Sequence, residues 1–155
     1  RIGVSTAKGS CFALDIPLIS VDTLNNMAKG VLLNHQEADL FCPMIDAKRM
    51  EVYAEIYDKN LNVVRKVNAD IVDEETYAEF LKEKKVCFFG NGMSKCKEVL
   101  SAYNNAIFVE GIEPSSKYMV EIATEKLLRK DFEDVAYFEP HYLKDFIAGK
   151  PKKLL

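Results

Sequence analysis

Apolar residues recur along this chain at two periods, and the change from one to the other divides it. From Arg1 to Leu14 there is no proline, and Ile2, Val4, Ala7, Cys11 and Leu14 fall at helical spacing. The same stretch is crowded with small residues: Gly3, Ser5, Thr6, Ala7, Gly9, Ser10 and Ala13. A glycine inside a helix costs about 1 kcal/mol relative to alanine, so two of them ask for a packing reason. Pro17 ends the helix, and Leu18 to Val21 reads as a short strand. Asp22 or Thr23 caps a second helix, with Leu24, Met27, Ala28, Val31 and Leu32 on one stripe. Asn34 to Glu37 closes this first unit, residues 1–36.

From Leu40 the period changes to two. Leu40 to Ile45 is an apolar run too short for a helix, broken only by Pro43, and reads as a strand ending at Asp46. After a charged turn at Lys48 and Arg49, Val52, Ala54 and Ile56 alternate with Tyr53, Glu55 and Tyr57, which predicts a strand with two unlike faces. A third strand is expected from Val63 to Val67, after a turn at Asp58-Lys59-Asn60. Asp73, Glu74 and Glu75 then open a helix with acidic residues at its positive end, and Tyr77, Phe80 and Leu81 form its stripe. Val86 to Phe89 is a buried strand ending at Gly90-Asn91-Gly92; a short helix from Ser94 to Leu100 and a strand from Ala106 to Val109 follow. Ser115 or Ser116 caps a longer helix, with Tyr118, Met119, Ile122, Ala123 and Leu127 facing inward. Tyr137 to Phe146 is expected as a last docked segment, and residues 148–155 as a basic tail.

The order β-β-β-α-β-α-β-α after Leu40 is that of a ribonuclease-H-like domain, a unit that actin-like proteins duplicate. On this reading the fold is α/β and actin-like. Residues 40–147 make one complete copy, and residues 1–36 make the back half of a first copy as helix-strand-helix. The chain opens at Arg1 rather than Met, already inside a helix, which suggests a fragment lacking its amino-terminal part.

Composition narrows the function. The chain has 155 residues, 48% hydrophobic and 29% charged, enough to bury a core. A net charge of -3 argues against a broad electrostatic grip on nucleic acid. No apolar run is long enough to span a bilayer, and there is no signal-peptide pattern. Cys11, Cys42, Cys87 and Cys96 form no C-x-x-C, which reads as reduced thiols in a cytoplasmic protein.

Candidate chemistry is sparse. Asp46 sits at the end of a strand, where an acid could serve magnesium and phosphate, but Ala47-Lys48-Arg49 follows it in place of phosphate-wrapping glycines. A structural role in the hairpin turn is favoured for Asp46, with magnesium binding as the alternative. Gly90 and Gly92 follow a strand and could face a nucleotide, giving with Asp46 a vestigial phosphate site. His35 and His141 are far apart, neither has a companion at helical metal-site spacing, and no metal site is expected. No serine is flanked as G-x-S-x-G.

The segment P-M-I-D-A-K-R-M-E-V-Y, Pro43 to Tyr53, resembles P-M-I-D-A-R-R-x-E-V-Y of the TsaB (YeaZ) family. Further matches are R-I-G-V-S-T-A-K-G at the start, I-P-L-I-S-V-D-T-L, P-S-S before the long helix, and E-P-H-Y-L-K-D-F near the end. The chain departs from the family at Lys48, which keeps the charge of the usual arginine but loses its guanidinium fork. The G-P-G-S-F-T-G-L run that precedes R-I-G in the family does not stand in this sequence, so no first-copy phosphate loop is expected within it.

The resemblance implies a non-catalytic scaffold subunit of the bacterial machinery that makes threonylcarbamoyladenosine in tRNA. Such a subunit would pair with a TsaD-type catalytic subunit and work with a TsaE-type ATPase. It would reach tRNA through the complex, form a homodimer in isolation, and need no cofactor. The paired-histidine metal motif of TsaD has no match here, which weighs against the old glycoprotease label. Because these proteins join through helices of the amino-terminal lobe, Ile2, Gly3, Thr6, Ala7, Gly9, Ser10 and Ala13 are the candidate partner interface. Packing of this helix against the chain's own second helix is the alternative. Two rival functions stay open: an actin-fold enzyme that binds ATP around Asp46 and Gly90 to Gly92, and a plain homodimeric interaction module.

Overall fold

A computed structural model of the chain describes residues 2–144. The predicted tail at 148–155 and the last residues of the predicted docked segment lie outside these. Eleven elements follow in order among the described residues. They are α1 (Ile2–Leu14), α2 (Thr23–Leu32), β1 (Leu40–Asp46), β2 (Glu51–Tyr57), β3 (Val63–Ile71), α3 (Ala78–Leu81), β4 (Val86–Phe89), α4 (Met93–Leu100), β5 (Ala106–Val109), a 3-10 turn (Ser116–Tyr118) and α5 (Met119–Arg129).

The strands form one sheet in the order β3-β2-β1-β4-β5. β1, β2 and β3 are an antiparallel meander, with Met44 opposite Ala54 and Ala54 opposite Asn68. β4 and β5 add in parallel, with Phe41 opposite Cys87 and Cys87 opposite Ile107. Parallel neighbours need crossover connections, and α3 and α4 supply them. β1 lies at the centre and is buried on both faces from Leu40 to Met44, which explains why its sequence is a continuous apolar run.

Each face has its own core. Leu40, Cys42, Met44, Val52, Ala54, Ile56 and Phe88 point toward Tyr77, Leu81, Met93, Cys96 and Leu100 of the α3–α4 side. Phe41, Tyr57, Cys87 and Phe89 point the other way, onto Leu24, Met27, Ala28 and Val31 of α2. Thus α2, which the sequence groups with α1, packs into the same core as the strands. The turn before α5 docks on α2 as well. Asn26 Nδ2 donates to the Ser115 carbonyl at 2.5 Å, and Lys29 pairs with Glu121 at 2.7 Å. A Cβ at Gly30 would overlap the Tyr118 ring, so this glycine lets the ring approach the helix backbone.

Four expected elements differ. Leu18 to Val21 is not a strand; only Leu18 pairs, in an isolated bridge to Glu133. β3 continues past Val67 to Ile71, because Asn68 to Asp70 still pair with β2 and Asp70 is anchored beneath the sheet. The helix expected from Asp73 is shortened to Ala78–Leu81. There the Asp73 carboxylate accepts from Glu75 N–H at 3.0 Å and Thr76 Oγ1 at 2.7 Å, winding the segment into local turns. In α5, Ile122 and Ala123 are half-buried but Met119 and Leu127 are exposed, since this helix docks mainly through the turn before it.

The anchor beneath β3 is a buried ion pair. Arg65 donates to both Asp70 oxygens, at 2.7 and 2.6 Å, and Tyr77 Oη and Asn68 Nδ2 donate to the same carboxylate at 2.8 and 2.9 Å. Burial opposes ionisation of Asp70, yet the guanidinium fork and the tyrosine hydroxyl outweigh it and lower its pKa.

Candidate functional site

α1 is helical from Ile2 to Leu14 but buries none of these residues. Ile2, Gly3, Thr6, Ala7, Gly9, Ser10 and Ala13 are all exposed. Nothing lies within 4 Å of where a Cβ would stand on Gly3 or Gly9, so these glycines are not contact points with α2. Large apolar side chains are exposed on the same helix, Ile2 at 87% and Phe12 at 83%. Phe12 was not among the residues the sequence pattern singled out; it falls between the helical-spacing positions. Only Val4, Lys8 and Cys11 are half-buried, a single stripe at i, i+4 and i+7.

Within that stripe Cys11 Sγ donates to the Pro17 carbonyl at 3.7 Å, and Lys8 reaches the segment after α5. Lys8 Nζ donates to the carbonyls of Ala136 and Phe138, at 3.1 and 2.8 Å. Between this segment, the start of α2 and the β2–β3 face lies a cleft of about 610 Å³, walled by Val4, Thr23, Glu55, Val67, His141 and Lys144. The other histidine, His35, pairs with Glu37 at 3.2 Å. The two are therefore not brought together, and among the described residues no three His, Cys, Asp or Glu side chains are placed to hold a metal ion.

Asp46, Gly90 and Gly92 do meet, where β1 ends beside the loop from β4 to α4. Gly92 N–H donates to the Met44 carbonyl at 3.0 Å, and Asp46 N–H to Asn91 Oδ1 at 3.0 Å. Gly90 has φ +99°, and a Cβ there would overlap the Met44 carbonyl oxygen; one on Gly92 would come within 2.9 Å of the Ile45 carbonyl carbon. Both glycines therefore let one backbone lie against another. Of the loop N–H groups, that of Gly92 is spent on Met44 and that of Met93 on the Gly90 carbonyl.

The Asp46 carboxylate accepts from Lys95 Nζ and from Lys48 N–H, the latter at 3.0 Å, and these bonds hold it below the usual carboxylate range. Lys95 also donates to the Glu51 carbonyl at 2.6 Å. Lys95, which the sequence pattern does not single out, is the third residue of α4, in the first turn after Gly90-Asn91-Gly92. Lys48 and Arg49, at φ 71° and 49°, both hold the left-handed conformation that glycine and asparagine usually take. The cysteines are free thiols, and burial pushes Cys87 up to about 12 and raises Cys42 and Cys96.

The family model described as "TsaD: tRNA N6-adenosine threonylcarbamoyltransferase" matches residues 1–152. A Bacillus subtilis relative named "tRNA threonylcarbamoyladenosine biosynthesis protein TsaB" is 35% identical over 104 residues, 64% of this chain and 44% of the relative. A Haemophilus influenzae protein of the same name is 27% identical over 164 residues, 97% of this chain and 66% of that protein. The chain thus spans 44% and 66% of the lengths of these curated relatives. Among solved structures, a Pseudomonas aeruginosa protein described as similar to "peptidase YEAZ" superposes with TM-score 0.77 at 18% identity, over 93% of this chain and 67% of the other. YeaZ from Pseudomonas aeruginosa superposes with TM-score 0.69 at 20% identity, over 92% and 67%. At these identities the solved structures show a shared mixed α/β fold. By the match across nearly its whole length and the names its relatives carry, this chain belongs to the TsaD family and, within it, to the TsaB (YeaZ) proteins.

Proposed function

We propose that this chain acts in the synthesis of threonylcarbamoyladenosine in tRNA as a non-catalytic subunit that binds a TsaD-type catalytic partner through α1. The supporting observation is the helix itself. It keeps thirteen residues of regular structure while burying none of them, and its small residues offer a smooth face with open space above both glycines. A face of that shape suits another helix at short interaxial distance. In isolation the same face would pair two copies of the chain. A TsaE-type ATPase and tRNA would join through the complex, in the cytoplasm; no described helix is long and apolar enough to cross a membrane.

The non-catalytic part rests on the corner at Asp46. Its carboxylate is engaged by Lys95, and the glycines beside it are turned onto the chain's own backbone. The rival, an enzyme binding ATP at this corner, would need those groups free. The element order from β1 to α5 supports reading residues 40–147 as one complete ribonuclease-H-like copy, with residues 1–36 as the back half of a first copy.

Co-purification with a TsaD homologue tests the reading, with capture expected for the wild type and lost in Thr6→Trp and Ser10→Trp. Failure of the wild-type chain to capture the homologue would overturn it. Isothermal titration with Mg-ATP is expected to give no saturable heat, and saturable binding would favour the enzyme instead.

A further inference from the structure

Among the described residues α1 buries no side chain, and its long-range hydrogen bonds run to one element, the strap of residues 131–144 that follows α5. The strap is built to receive α1. Glu133 N–H donates to the Leu18 carbonyl at 2.8 Å, and the Glu133 carboxylate accepts from Ser20 Oγ, which fixes the strap beside the end of the α1–α2 connection. The next turn is wound by Asp134. Its Oδ1 accepts from Ala136 N–H at 2.7 Å and Tyr137 N–H at 3.1 Å, and its carbonyl from Phe138 N–H at 2.8 Å. That winding leaves the Ala136 and Phe138 carbonyls both within reach of Lys8 Nζ. An ammonium group carries three donors and no acceptor, so two carbonyls converging on it make a specific seat for a cation, and charge-assisted bonds are the stronger kind. At its far end the strap reaches the β1–β2 hairpin, where Lys144 pairs with Glu51.

We propose that the strap is a latch for α1, with Lys8 as the positioning residue, and that it sets where the association face of the helix stands. Two features make the latch consequential. A shallow groove beside Gly9 and Phe12 is completed by Asp134, Val135 and Ala136, so the surface available to a partner is part helix and part strap. Strap residues and Val4 of α1 together line the cleft beside α2, so release of Lys8 would open both together. The functional consequence rests on the reading of α1 as the partner surface; the latch itself does not.

Amide hydrogen exchange on the chain alone reads the latch. Lys8→Met keeps the aliphatic stem and removes the cation, and is expected to speed exchange across α1 by about tenfold while leaving β4 at its wild-type rate. Lys8→Arg restores a cation and is expected to return α1 toward its slow rate. Asp134→Ala leaves Lys8 in place but unwinds its acceptors, and is expected to reproduce Lys8→Met. Unchanged α1 exchange in Lys8→Met, or equal acceleration of β4 and α1, would overturn the latch. Partner capture is measured separately. Released α1 in the variants together with no capture by the wild type would support the latch and sink the functional reading instead.

Discussion

The sheet core and α1 solve the problem of burying a helix or strand in opposite ways. Around β1, both faces of the sheet are closed by side chains from distant parts of the sequence, and even a carboxylate is taken inside with its full set of partners. α1 is regular and intact yet touches the rest of the chain along one narrow stripe, closed by a lysine on two carbonyls. Regular secondary structure and tertiary burial are thus separable in this chain, and on the proposed function the unburied face of α1 is the seam offered to a partner. A surface of small residues would be a poor core and is a good seam.

The largest effect should come from Asp70. Asp70→Ala strands the Arg65 guanidinium in a half-buried site and leaves Tyr77 Oη without its acceptor, which should cost about 3–5 kcal/mol in chemical denaturation. The same pair sets an acid limit. Asp70 has a folded pKa below its unfolded value, so its contribution is present above the unfolded pKa of about 4 and is lost as pH falls through the depressed folded value. Acid titration of stability should show this loss in the wild type and much less of it in Asp70→Asn.

Next come the glycines at the end of β4. Gly90→Ala puts a Cβ onto the Met44 carbonyl at a positive φ, and should destabilise by about 1–3 kcal/mol. If instead these glycines are kept only for a ligand, Gly90→Ala would leave denaturation unchanged.

The comparison between regions is sharpened by exchange in the wild type. Phe88, Phe89, Ile107 and Phe108 should be protected longer than Ile19 and Val21, because the former sit in paired strands and the latter flank a single bridge. The reverse order would remove the contrast. The smallest effect on stability should come from α1 itself: Thr6→Trp and Ser10→Trp change exposed positions and should shift unfolding by less than about 0.5 kcal/mol. Their effect should appear only in association, where overpacking a seam costs about 1–3 kcal/mol. A large loss of stability in either variant would mean that α1 is packed after all.

Much of this was legible in the residues alone. The alternation in β2, the unbroken apolar run of β1, and the stripe of Leu24, Met27, Ala28 and Val31 each carry the period of the element they form, because local geometry alone decides which side chains share a face. The small-residue helix also stood out by composition. What tertiary structure decided has no period. Lys95 meets Asp46 from 49 positions away, and Lys8 meets Ala136 from 128. α2 joined the sheet and left α1, and β3 ran on to Ile71 because Asp70 found Arg65 and Tyr77. Each of these is a choice among partners far apart in the chain, made by the fit and charge of surfaces that exist only once the strands are in place. A single sequence carries the elements; the pairing of their faces is a property of the assembled fold.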